Sequence, residues 1–492
     1  MPCTTILVGK KASYDGSTLA ARNEDSAAGK FSPKKLVVVR PSEQPSRYRS
    51  VLTHAELELP RAPLRYTAMP NGIADEGIWG AAGVNACNVA MTATETITSN
   101  ERVLAADPLV TLRPAKGDVP EKPGGIGEED FVTLVLPYIR SAREGVARLG
   151  GLLEELGTWE MNGIAFQDAE EVWWLETIGG HHWIARRVPD ECYVFMPNRL
   201  GIDYFDLDDA FGAQKDFLCS ADLPDFLAAN HLVLDMEAGR SFNPRLAFGS
   251  HSDADHVYNT PRAWYGLRYF NPNSFVWDGP ESDYGPESDD LPWALVPERK
   301  ITPEDIKYIL SSHYQGTPYD PYAAHGERAL RGAYRPIGVN RNNFLSLTQI
   351  RPDLPDSFRA LEWVAFGSNV FNALIPLYAN VDTVPDYLSN TGAKVTTESF
   401  YWTNRLIGAL ADASYRASVS AVERYQQAAA AAGLSVILRT DREQAVSDSM
   451  RAREEANAQI AELVREKTEK LLGEVLFQAS NSMKNAYARS DG

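Results

Sequence analysis

Apolar residues in the first hundred positions come in short bursts rather than helical stripes. Thr4-Thr5-Ile6-Leu7-Val8 is β-branched and apolar, Asp15-Gly16-Ser17 signals a turn, and Leu19-Ala20-Ala21-Arg22 resumes the apolar run. This predicts a hairpin with a longish loop, and pairing Leu7 with Thr18 would set Cys3 opposite Arg22. Further strands are expected at 35–40 and around 89–96. The stretch 115–129, AKGDVPEKPGGIGEE, is rich in Gly, Pro and charge and reads as a loop. Beyond it Leu134, Leu136, Ile139, Val146, Leu149, Leu152 and Leu153 recur at roughly helical spacing up to Gly157, with Pro137 either kinking the helix or marking its start. Segments 163–167, 171–176, 182–186 and 193–196 alternate with short polar turns and predict a β-meander. The doublet GPESDYGPESDD reads as a solvated acidic loop. Thr302-Pro303-Glu304-Asp305 places a capping residue, a proline and two acids where a helix would start. From about Ala411 an amphipathic stretch rich in Ala, Glu, Arg and Gln runs to about Ala486, with an interruption near Gly433. The expected class is α+β, with a main domain at 1–409 and a helical C-terminal region at 410–492 packed on it or extending it.

Composition narrows the function classes. Of the 492 residues 44% are hydrophobic, enough for a large core. Acidic residues outnumber basic ones 66 to 48, for a formal charge of -18. Nucleic-acid binding needs a basic footprint against phosphate, and anionic membranes attract basic segments, so neither partner is expected. Cys3, Cys87, Cys192 and Cys219 are widely spaced without a CxxC pair, which suits a reducing compartment rather than a disulfide framework. The opening residues show no basic start followed by an apolar stretch, and no apolar run approaches the roughly 20 residues of a membrane helix. A cytoplasmic location is expected.

The candidate chemistry begins at Cys3. If Met1 and Pro2 are removed, Cys3 carries both a thiol and a free α-amine. Reference pKa values of about 7.7–8.0 for such an amine and about 8.5 for a thiol let the amine take the thiol proton without a histidine. An ordinary buried cysteine at a strand start is the competing reading. Arg22-Asn23-Glu24-Asp25 shifts the balance, because a guanidinium beside the thiol favours thiolate and Asp25 could accept from the new amine.

The N-terminal stretch MPCTTILVGKKASYDGSTLAARNEDS resembles that of the cysteine dipeptidases (dipeptidase A/D type) of the N-terminal-nucleophile hydrolase superfamily. The resemblance continues through GVNACNVAMTATET, MNGIAFQDAEEVWWLETIGGHHW, YVFMPNRLGID and YNTPRAWYGLRYFNP, and reaches about residue 380 with EWVAFGSNVFNALIPLYAN. It implies an αββα sandwich whose catalytic domain is the 1–409 unit, with hydrolysis of small dipeptide substrates and no metal or other cofactor. The superfamily pattern maps onto Cys3, Arg22, Asp25, Asn198 in MPNR and Arg262 in NTPR. Thr94-Glu95 stands where related acylases carry an oxyanion-stabilising Asn, so Asn198 and a backbone N–H are expected to fill that role. Glu95 and Asp25 are candidates for the substrate ammonium, and Arg199 or Arg262 for its carboxylate. An acylase on other small linear amides, and an inactive binding member that retains Met1-Pro2, are the alternative functions.

Other motifs read as structural. Adjacent His181 and His182 on a strand would face opposite sides. The run from His251 to His256 reads as an exposed polar loop, Asp203, Asp206, Asp208 and Asp209 as a solvated turn, and Cys87, Cys192 and Cys219 as structural thiols. The Ala-rich stretch 426–432 would permit close helix packing, which leaves assembly as a homo-oligomer open.

Overall fold

The computed structural model describes residues 3–27, 30–73, 76–235, 239–443 and 449–483, without the side chains of 93–95. It is a mixed α and β protein with two large antiparallel sheets and a helical C-terminal region. The seven-stranded sheet runs in the order Ala294–Leu295, Tyr193–Met196, Cys3–Val8, Thr18–Asp25, Asn342–Ile350, Ala360–Phe366, Ile375–Tyr378. The six-stranded sheet runs Phe217–Cys219, His182–Arg187, Val172–Ile178, Asn162–Gln167, Ala90–Thr96, Ala82–Val84.

Side-chain alternation along these strands separates three apolar clusters. Leu7, Ala20, Val194 and Met196 of the larger sheet pack with Ala165, Trp174, Ile178 and Ile184 of the smaller one. Ile6, Val8, Ala21 and Leu347, on the other face of the larger sheet, pack against helices Thr260–Phe270, Pro303–Leu310, Phe400–Ala413, Tyr415–Glu443 and Met450–Asn481. Phe166, Trp173, Leu175 and Trp183, on the other face of the smaller sheet, pack against Phe131–Val135 and Ala142–Leu156. The central strands therefore bury both faces, which explains their long uninterrupted apolar runs.

Several local expectations change in the fold. The first hairpin pairs Leu7 with Ala20 and Cys3 with Glu24, two residues off the expected register. A slip of two keeps every side chain on its face, so Arg22 remains diagonal to Cys3. Of the predicted meander, the first three strands pair in succession, but Tyr193–Met196 crosses to the larger sheet and pairs with Cys3–Val8. The helix expected through Pro137 is broken there. A short helix ends at Val135, and Ser141 accepts the Glu144 N–H to cap a new one, Ala142–Leu156, that Gly157 ends at φ 71°. Thr302 caps Pro303–Leu310 in a capping box with Asp305, as its sequence predicts.

Gly433 does not interrupt its helix, Tyr415–Glu443. A Cβ there would lie 2.8 Å from Pro376 Cδ, so the glycine lets the helix lie close against strand Ile375–Tyr378. Within the Ala-rich stretch, Ala429 is buried in this chain's own core. The paired histidines do not part either: both Nδ1 atoms meet Asp107, at 2.8 Å for His181 and 2.7 Å for His182. Asp253–Tyr258, expected as loop, is a short helix whose His256 meets Asp289. Asp206 caps a one-turn helix, and Asp209 accepts three backbone N–H groups at residues 215–217. No helix among the described residues is long and apolar enough to cross a membrane.

Candidate active site

Cys3 opens the first strand and is fully buried. Its backbone N donates to Asn198 Oδ1 at 3.1 Å. Strand Tyr193–Met196 lies beside the first strand, and Asn198 follows it directly in the Met-Pro-Asn-Arg turn, which brings the amide to this end of the sheet. Asn198 Nδ2 in turn donates to Thr96 O at 3.0 Å. Arg262, in the first turn of helix Thr260–Phe270, donates to Cys3 O, to Thr4 Oγ1 at 2.8 Å and to Asn198 Oδ1 at 2.7 Å. Asn259 receives another Arg262 N–H at 2.7 Å. Two side chains from distant segments thus clamp the main chain of Cys3 on both sides.

The thiol is met by Arg22. Its Nη2 lies 3.0 Å from Cys3 Sγ and also donates to Glu128. Glu24, directly opposite Cys3, pairs with Lys34 at 3.1 Å and lies 3.8 Å from Arg22. All four charged side chains are fully buried, where unpaired charges are costly and alternating signs are the stable arrangement. Burial works against the Glu128 carboxylate, yet the charge of the N-terminal amine, with the Arg22 and Lys34 cations, holds its pKa below the usual range. Glu160 accepts the Glu128 N–H at 2.9 Å, and burial together with the Glu128 charge pushes its carboxyl up to about 7.

Of the sequence-derived candidates, Cys3, Arg22, Asn198 and Arg262 converge. Asp25 alternates to the other face of its strand, where Arg335 and Asn342 hold it. Burial, and then the Arg341 cation, lowers the Arg335 pKa to about 9 against the opposing influence of Cys3. Arg199 turns to Thr260 Oγ1 at 3.0 Å, with Asp289 at 3.8 Å. The Glu95 backbone continues strand Ala90–Thr96, but its side chain lies outside the described residues. No cluster of three or more His, Cys, Asp or Glu among the described residues is placed to hold a metal. Burial raises the thiol pKa of Cys192 to about 11 and of Cys219 to about 12, which suits structural roles.

Sequence reasoning missed Glu24, Lys34, Glu128, Glu160 and Arg335. Glu128 sat at the end of a stretch read as loop, yet Glu128, Glu129 and Asp130 are all buried, each on a different partner. Glu129 accepts from Ser50 and the backbone of Val51 and Leu52, and Asp130 from Tyr48 and Gly127. The available signal was three consecutive acids immediately before an apolar helix.

Comparison with known proteins gives a consistent picture. The model of peptidase family C69 matches residues 2–428. The chain is 56% identical to a protein named "Dipeptidase" from Bifidobacterium longum, over 100% of both chains. It is 50% identical to "Probable dipeptidase A" from Streptococcus pyogenes serotype M3, again over 100% of both. It is 43% identical to "Dipeptidase A" from Lactobacillus helveticus, over 99% of this chain and 98% of that one.

Proposed function

The chain belongs to peptidase family C69 and is a cysteine-type peptidase, and on that premise we propose that it hydrolyses dipeptides with Cys3 as an N-terminal nucleophile. The observation that carries the reading is the Arg22 guanidinium, 3.0 Å from the Cys3 sulfur, on a cysteine whose main chain Asn198 and Arg262 hold. A cation at that distance favours thiolate, the reactive form.

In the proposed reaction, hydrolysis of the Pro2–Cys3 peptide bond frees the α-amine of Cys3. That amine takes the thiol proton, and the thiolate attacks the substrate carbonyl carbon. The Asn198 amide and a backbone N–H stabilise the oxyanion. The C–N bond breaks as the α-ammonium returns its proton to the leaving amine, leaving a thioester and one free amino acid. The free α-amine then activates water, which releases the second amino acid and restores the thiol. Residues 1–409 form the catalytic unit in this reading, an αββα sandwich of the N-terminal-nucleophile type, with 410–492 packed on it, and the enzyme works in the cytoplasm without a metal.

The test is a panel of free dipeptides, the same sequences N-acetylated, and N-acyl amino acids, each assayed for amine release. The reading expects cleavage of the free dipeptides. Turnover confined to N-acyl substrates would instead make the enzyme an acylase, and a chain confirmed to start at Cys3 that cleaved nothing would make it a binding member of the family.

A further inference from the structure

The buried arginine that pairs with Asp25 has donors to spare. Arg335 sits in the loop before Pro336, is only 9% exposed, and is fastened at both backbone ends: its N–H donates to Val257 O, and its carbonyl accepts from Tyr314 OH at 2.7 Å. One nitrogen, Nη2, pairs with Asp25. The other two, Nε and Nη1, are buried without a hydrogen-bond partner. A guanidinium desolvated with two donors unmade is unfavourable in a resting protein, and such orphans call for an explanation.

Its position suggests one. The guanidinium carbons of Arg335, Arg262 and Arg341 lie 5.1, 5.3 and 6.0 Å from the centre of one ring, that of Tyr258. Arg262 from this group bonds the Cys3 carbonyl. Cys3 thus meets Arg262 of this cluster at its carbonyl and Arg22, backed by Glu128, at its thiol, while Arg335 faces the ring that Arg262 shares. In a dipeptide the two charged ends lie close to the scissile carbon: the ammonium nitrogen is about 2.5 Å away and the carboxylate carbon roughly 4 Å away. Groups that read them must sit close to the nucleophile.

We propose that Arg335 anchors the carboxylate of the substrate through its unmade donors, while Asp25 holds the guanidinium in place. This rests on the dipeptidase reading and adds the reason for the substrate's length. A tripeptide presents an uncharged amide where Arg335 expects a carboxylate, and leaves those donors unpaired. The group is specificity-determining: it touches substrate away from the reacting atoms.

The experiment compares a dipeptide with its C-terminal amide, which keeps the ammonium and removes only the carboxylate. Wild-type enzyme is expected to favour the acid by roughly 10- to 100-fold in kcat/KM. Arg335→Gln should lose that preference because cleavage of the acid falls far more than cleavage of the amide, and Arg335→Lys should keep part of it. A merely structural role through Asp25 would slow both substrates alike and would overturn the proposal. If neither variant folds, the structure of Cys3→Ala with a bound dipeptide decides, with its carboxylate on Arg335 in support and on any other residue against. Wild-type enzyme that cleaves no dipeptide would sink the functional reading itself. Wild-type enzyme that cleaves acid and amide equally would sink only this inference.

Discussion

Glu362 offers the sharpest test of the buried electrostatics. It lies mid-strand in Ala360–Phe366, 1% exposed, paired in register with Thr348 and Leu377. Neither carboxylate oxygen has a hydrogen-bond partner. Burial pushes the carboxyl from 4.5 up to about 7, with the nearby Thr67 hydroxyl opposing. In the unfolded chain the same group ionises near 4.5. Its effect on stability is therefore nil below pH 4.5, and it destabilises progressively as pH rises toward and through 7. At 1.36 kcal/mol per pKa unit the full effect is about 3 kcal/mol. Glu362→Gln keeps the shape and removes the ionisation. At pH 5 the variant should match wild type within about 1 kcal/mol, and by pH 8 it should be more stable by about 2–3 kcal/mol. Urea unfolding at the two pH values measures the gap. A wild-type-to-variant difference that stays the same at pH 5 and pH 8 would refute the reasoning, because only a group ionising between them makes the difference move.

Two further outcomes follow from named contacts. Glu128→Gln removes the anion that shares an Arg22 nitrogen with the thiol. Turnover should fall, on the order of 100-fold for a loosened buried ion pair, while the pH midpoint of Cys3 alkylation shifts down because the remaining field is more positive. An upward shift would contradict that geometry. Gly433→Ala adds a methyl group 2.8 Å from Pro376 Cδ. Overpacking should exceed the gain in helix propensity, lowering stability by about 1 kcal/mol in urea unfolding, whereas a stabilised variant would show that the strand yields at no cost.

The candidate site was legible to the extent that it is local or motif-bound. Cys3 and Arg22 share a face in any even register, so the two-residue error in the hairpin left their meeting intact. Asn198 and Arg262 came from the resemblance, and the fold puts both on the Cys3 main chain. The buried charges were not legible, because a charged residue is exposed by default and only tertiary partners reverse that. Lys34 is buried through Glu24, Glu128 through Arg22, and Arg335 through Asp25, each pair distant in sequence or hidden in a loop. Gly433 misled for a related reason. Within its helix it reads as a breaker, and only Pro376, 57 positions away, shows it to be a close-packing site.

In the proposed reaction Cys3, as the first residue of the active chain, attacks the dipeptide. The measurement that meets this step most directly is intact mass together with dipeptide hydrolysis, for wild type and Cys3→Ala. The account predicts that active wild-type chains begin at Cys3, and that Cys3→Ala retains the fold and releases no amino acid from dipeptides. Turnover that persists in Cys3→Ala, or full wild-type activity on chains that still carry Met1 and Pro2, would contradict it.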